Sequence, residues 1–187
     1  MTAVQSLLQH IAESTRIVAI DGRSASGKTT IASEMADVLG ATIIHMDDFF
    51  LPLPLRTEAR YREAGGNVHY ERFIEEVLPG LENHEVFYYH RFDCSKMAYA
   101  DELVRVDASR LVVVEGAYSL SPCFGHYYDF SVFMDIEAEE QMRRIVKRNG
   151  EERAEAFKTR WIPLEEAYFT ATETAKRADL ILDGAML

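Results

Sequence analysis

Ile17-Val18-Ala19-Ile20-Asp21-Gly22-Arg23-Ser24-Ala25-Ser26-Gly27-Lys28-Thr29-Thr30 is the stretch on which the reading of the chain turns. Its first four residues are an aliphatic run closed by Asp21-Gly22, the pattern of a strand buried on both faces. Gly22 to Thr29 match G-x-x-x-x-G-K-[ST] in full, and the residues from Lys28 to Leu39 predict a helix stopped by Gly40. A strand that runs through glycines into a helix N-terminus turns several backbone N–H groups toward one point, where the helix dipole also favours negative charge. The motif therefore predicts a triphosphate-binding loop with contacts from Gly22, Ser24, Ala25, Ser26, Gly27 and Thr30. Lys28 reaches the β/γ oxygens, and the Thr29 hydroxyl is placed to ligate Mg²⁺.

Outward from this stretch, four more short apolar runs read as strands: Thr42 to Ile44, Leu111 to Val114, Phe130 to Met134 and Leu180 to Leu182. Helical patterns fall between them, over residues 2–14 with Val4, Leu7, Leu8 and Ile11 on one face, over Lys28–Leu39, and over Glu137–Arg148. Parallel neighbours require crossover connections, so the order predicts an α/β three-layer sandwich of the P-loop NTPase type, with a mostly parallel sheet of five strands. Phe87–Asp93 and Leu103–Val106 predict an antiparallel hairpin, residues 69–78 a helix, and Arg56–Asn67, polar with Gly65-Gly66, a mobile surface connection. Tyr88, Tyr89 and Phe92 read as packing residues, and Trp161 beside Ile162-Pro163 as the anchor of a helix start. The whole, residues 1–187, reads as one domain with a small lid at 143–155 and an acceptor-side insertion at 51–106.

Composition narrows the function. The chain has 187 residues with a net charge of −11, which disfavours nucleic acid as a partner. No apolar window approaches the roughly 20 residues of a membrane span, and the N-terminus lacks a basic start, so a cytoplasmic protein is expected. Cys94 and Cys123 have neither metal-ligand spacing nor the density of a disulfide scaffold and read as buried or idle thiols.

In an open parallel sheet, ligands gather outside the carboxyl ends of the strands. Asp47 and Glu115 each follow a predicted strand and should converge with the loop. A carboxylate such as Asp47 can take the proton of an acceptor hydroxyl as it attacks phosphorus. A pair of turn or helix-capping aspartates at Asp47-Asp48 is the bland alternative. Glu115 ends a four-residue aliphatic run, where a carboxylate is costly unless it meets a cation or a metal-bound water. Arg143, Arg144, Lys147, Arg148 and Arg153 form a basic cluster that could close over a triphosphate or pair with nearby glutamates.

The chain resembles the uridine kinase-like branch of the P-loop small-molecule kinases over almost its whole length. The resemblance rests on the loop with its Ser24-Ala25-Ser26 interior, on His45-Met46-Asp47-Asp48-Phe49-Phe50, and on Val113-Val114-Glu115-Gly116. The segment from Arg144 to Arg153 resembles the arginine-bearing lid, and Ala178-Asp179-Leu180-Ile181-Leu182 the closing strand. It implies ATP-dependent phosphoryl transfer to the hydroxyl of a nucleoside or similar small molecule. Lys28 and Asp47 would be catalytic, Asp47 as the base, and Thr29, Glu115 and Asp47 would serve the Mg²⁺. Arg144, Arg148 and Arg153 become lid contacts to ATP, while Asp48, Tyr61, His69, His90, Arg91 and Asp93 are candidate acceptor contacts. The segments that hold ribose and pyrimidine in that branch are not matched at Asn67–Phe73 or Phe92–Met97, so a uracil preference is not implied. A nucleotide-dependent switch without an acceptor is the alternative. Self-association is left open.

Overall fold

The computed structural model describes residues 3–93 and 96–186. Among the described residues the strands are β1 Ile17–Gly22, β2 Thr42–His45, β3 Val86–Asp93, β4 Ala98–Asp107, β5 Val112–Glu115, β6 Phe130–Asp135 and β7 Leu180–Asp183. The helices are α1 Ala3–Leu8, α2 Lys28–Leu39, α3 Glu58–Arg62, α4 Tyr70–Glu76, α5 Leu78–Glu82, α6 Ala138–Asn149, α7 Glu151–Ala156, α8 Ile162–Thr172 and α9 Thr174–Arg177. Five strands form one sheet in the order β2-β5-β1-β6-β7, every neighbouring pair parallel, and β3 and β4 form a separate antiparallel hairpin.

Period-2 alternation divides each central strand between two cores. Val18 and Ile20 of β1 pack with Val113, Val132 and Met134 against Leu7 of α1 and Ile31 and Met35 of α2. Ile17 and Ala19 turn to the other face, among Val112, Val114 and Phe133, where Phe49, Phe73, Leu81, Tyr118, Tyr168 and Phe169 cover the sheet. All of β1 and β5 is buried, which is why both read as unbroken aliphatic runs rather than alternating ones.

Three segments differ from the sequence expectation. The first helix spans only Ala3–Leu8, since His10 already closes a turn on Leu7 O; Leu8 and Ile11 still pack at the edge of the core. Arg56–Asn67 is structured: Thr57 caps α3 by accepting from Arg60 N–H, and the Arg60 guanidinium bonds Gly66 O, Val68 O and Glu71. The helix after Gly150 continues through a π turn at Phe157–Trp161 before α8 begins at Ile162. Tyr89 and Phe92 are buried as expected, but Tyr88 points outward and is 54% exposed. Of the two readings for the thiols, buried or idle, the first does not hold for Cys123, which is free and exposed; Cys94 lies outside the described residues.

No helix among the described residues is long and apolar enough to cross a membrane.

Candidate active site

The carboxyl ends of β1, β2 and β5 meet at one edge of the sheet. Register does the positioning: Ile20 lies opposite Glu115 on one side of β5, and His45 opposite Glu115 on the other. His45 Nδ1 accordingly donates to Glu115 Oε1 at 2.6 Å, and the bond raises the imidazole pKa. Past His45 the chain tightens into a 3₁₀ turn, Met46–Phe49, that brings Asp47 to the same edge.

The loop from Gly22 to Thr29 follows β1 directly into α2. Gly22 has φ +136° beside β6, where a Cβ would stand 2.1 Å from Met134 O, so no other residue fits. Gly27 caps α2 at φ 101°. Lys28 is folded back on the loop, donating to Gly22 O at 2.8 Å and Arg23 O at 2.7 Å. The Ser26 hydroxyl is buried and finds no partner in the protein. Thr29, the second residue of α2, donates through its hydroxyl to both oxygens of Glu115 at 3.2 Å.

Beneath the loop, Asp21 is completely buried and collects four donors: Gly22 N–H, Tyr118 N–H, Leu120 N–H and the Tyr168 hydroxyl. Burial raises its pKa to about 6 against the opposing pull of those hydrogen bonds. It ties the end of β1 to the Tyr118–Leu120 turn and to α8, so it fixes the loop rather than facing a ligand.

A cleft of about 580 Å³ opens over this edge. Ser24, Ala25, Gly27, Lys28, Thr29 and Thr30 line one end, with Arg144, Lys147 and Arg148 of α6 above them. Arg144 is seated by Glu140, Ala25 O and Gly184 O. Asp47 and Glu115 line the middle. Phe50, Asn67, Val68, Tyr118 and Trp161 line the far end, where the Phe50 and Trp161 rings stand 6.4 Å apart and Phe50 bridges to Val68. Solvent reaches Asp47 through the cleft, yet protein encloses it on its other sides; that desolvation, followed by the Glu115 charge, raises its pKa against Lys28 and His45.

Of the residues singled out from sequence, Ser24, Ala25, Gly27, Lys28, Thr29, Thr30, Asp47, Glu115, Arg144 and Arg148 line the cleft. Gly22 and Ser26 belong to the loop but not to the cleft wall, and Arg153 lies exposed on α7. The proposed acceptor contacts have other partners. Asp48 is buried and accepts from Tyr89 OH at 2.8 Å and Arg91 Nε at 3.2 Å, which fastens the hairpin to the 3₁₀ turn. The His69 ring bonds Tyr99 OH, His90 faces Glu76, and Tyr61 stacks under Arg160. Asp93 accepts from Lys96 N–H in the turn after β3.

Glu165, on α8, was not foreseen. It is 5% exposed, lines the cleft, and accepts from both Ser24 N–H at 2.9 Å and the Ser24 hydroxyl. Phe50, Asn67, Tyr118, Phe157 and Trp161 were likewise not read as cleft residues.

The arrangement fits a Mg²⁺–nucleoside triphosphate. The glycine-built loop, the lysine resting on its carbonyls and the orphaned Ser26 hydroxyl suit a polyphosphate, while Thr29 and Glu115 offer hard oxygen ligands. No three His, Cys, Asp or Glu side chains among the described residues form a metal cage.

No family model matches the chain. It is 23% identical over 186 residues to a uridine kinase from Halobacterium salinarum, covering 90% of this chain and 80% of that one. A solved structure from Bacillus stearothermophilus, provisionally assigned as a uridine kinase, superposes with a TM-score of 0.68 at 20% identity, covering 96% of this chain and 95% of the other. A provisionally assigned fructose transport system kinase from Silicibacter sp. TM1040 superposes with a TM-score of 0.70 at 21% identity, covering 96% of each chain. The chain shares its fold with these two solved structures.

Proposed function

We propose that the protein transfers the γ-phosphoryl group of ATP to the hydroxyl of a small, nucleoside-like molecule. The observation that carries the reading is Asp47: a carboxylate facing the cleft between a complete phosphate loop and an aromatic pocket, with a raised pKa. A protein that only hydrolyses or senses nucleotide needs a positioned water, and has no use for a base aimed at a second pocket.

In this reading Lys28 leaves Gly22 O and Arg23 O for the β/γ oxygens, and Arg144, Lys147 and Arg148 add positive charge from α6. Mg²⁺, held through Thr29 and Glu115, would neutralise charge on the phosphates. Asp47 accepts the proton of the acceptor hydroxyl; the acceptor oxygen bonds to the γ-phosphorus as the bond to the ADP oxygen breaks. His45 holds Glu115 in place from the side of β2. Phe50 and Trp161 supply flat walls suited to a base or sugar face.

The test is ADP release from Mg²⁺-ATP with and without a panel of nucleosides, nicotinamide riboside, pantothenate and sugar alcohols, on wild type and Asp47→Asn together. Acceptor-dependent release that disappears in Asp47→Asn is the expected result. Release that ignores the acceptor and persists in the variant would replace the reading with a hydrolytic switch.

A further inference from the structure

On the acceptor side, Arg160 stands over the Trp161 ring at 4.9 Å but outside the cleft lining, and the other neighbouring arginines are engaged elsewhere. Arg60 is committed to Gly66 O, Val68 O and Glu71, and Arg72 to Asp48 O, His90 O and Glu76. Arg91 pairs with Asp48, and Arg56 donates to Leu51 O. Among the described residues, the cationic side chains that line the cleft are Lys28, Arg144, Lys147 and Arg148, all on the phosphate loop or α6. The carboxylates that line the cleft are Asp47, Glu115 and Glu165, and Glu165 lies near enough to Tyr118 and Asp47 to act on both electrostatically.

Glu165 is built into this site rather than exposed at its rim. Its carboxylate is buried, anchored by two Ser24 donors, and close enough to Asp47 and Lys28 to feel both charges. An ionised carboxylate has about four acceptor directions, of which Ser24 uses two. The remainder can accept O–H or N–H groups of a ligand in the cleft, and a ligand carboxylate or phosphate there would meet the Glu165 and Asp47 charges, with Lys28, the one loop cation near both, engaged by the triphosphate.

We propose that Glu165 determines the acceptor specificity of the cleft, taking hydrogen bonds from an uncharged or cationic polyhydroxyl compound and excluding acceptors that carry a carboxylate or phosphate. This rests on the phosphotransfer reading above, and two separate readouts keep the two ideas apart.

Trp161 is the single tryptophan of the chain and lines the acceptor end, so its fluorescence reports occupancy without turnover. Wild type and Glu165→Gln would be titrated in Mg²⁺-ADP with matched pairs: ribitol and ribonate, pantothenol and pantothenate, uridine and uridine 3′-monophosphate. ADP release from ATP would be followed alongside. In wild type the uncharged member of a pair should bind at least about tenfold tighter, and Glu165→Gln should bring the ratio close to one. Glutamine has one acceptor oxygen, so it can keep the Ser24 N–H bond and must donate to the Ser24 hydroxyl; ATP affinity is therefore measured beside the ratio, and a merely structural glutamate would disturb ATP and leave the ratio alone. An anionic preference in wild type, a ratio unchanged by Glu165→Gln, or no response of Trp161 to any pair overturns the proposal. If Glu165→Gln does not fold, the wild-type ratios decide alone. Selective binding without ADP release would uphold the specificity and sink the kinase reading; turnover of anionic members in preference would do the reverse.

Discussion

The phosphate-loop wall and the acceptor wall of the cleft differ in how far apart along the chain their residues lie. Ser24 to Thr30 are consecutive and held by their own backbone, by Gly22 against Met134 and by Asp21 beneath. Phe50, Asn67, Tyr118 and the Trp161–Glu165 turn come from four separate segments and meet only when the fold is complete. A wall made of one local turn presents backbone N–H groups, which suits a constant ligand such as a polyphosphate. A wall gathered from many loops presents side chains, which can differ between relatives without touching the loop.

Asp47→Asn should separate the two walls most sharply. It should lower transfer by about 10²–10⁴-fold while leaving ATP affinity nearly unchanged, as read by kcat beside ATP binding. Gly22→Ala attacks the loop wall at its base. With φ +136° and a Cβ forced against Met134 O, it should cost about 3 kcal/mol in chemical denaturation, and a silent result would mean β1 and β6 can part there. Lys28→Ala should reduce kcat/KM for ATP by about 100-fold with acceptor quenching of Trp161 unaltered. Loss of acceptor binding too would show that the walls are not independent.

The smallest effect lies where the walls meet, at His45 and Glu115. The bond to Glu115 raises the His45 pKa above its ordinary 6.5, so its contribution to stability is complete below that value and is lost as pH rises through the folded pKa. His45 is 41% exposed by side chain, and solvent screening limits the effect to at most about 1 kcal/mol. Denaturation of His45→Gln and wild type should therefore differ most near about pH 6 and converge in alkali.

The contrast between the walls also explains what could be read from sequence. Strands β1, β5 and β6 are buried along almost their whole length and stood out as aliphatic runs, β2 and β7 are only partly buried but still apolar, and Asp47 and Glu115 were visible because each comes at the end of a run. Glu165 gave no such signal. After Pro163 it looks like any acidic residue in the first turn of a helix, a position that the dipole favours without a ligand. Trp161 read as an anchor because the π turn that swings it and Phe157 to the cleft has no sequence period of its own. His69, His90 and Arg91 carried plausible chemistry, but the tertiary contacts with Tyr99, Glu76 and Asp48 that engage them join segments 14 to 43 positions distant. Arg60 turned a glycine-containing polar stretch into an ordered one through bonds to Gly66 O and Val68 O that composition does not reveal.

The central claim is that the γ-phosphoryl group crosses from the loop wall to a hydroxyl held at the acceptor wall. Following ATP labelled at the γ-phosphate through a single turnover, in the presence of the acceptor that best quenches Trp161, tests it directly. The account predicts label on the organic acceptor in wild type and intact ATP in Asp47→Asn. Label recovered as inorganic phosphate, equally in both proteins, would contradict it.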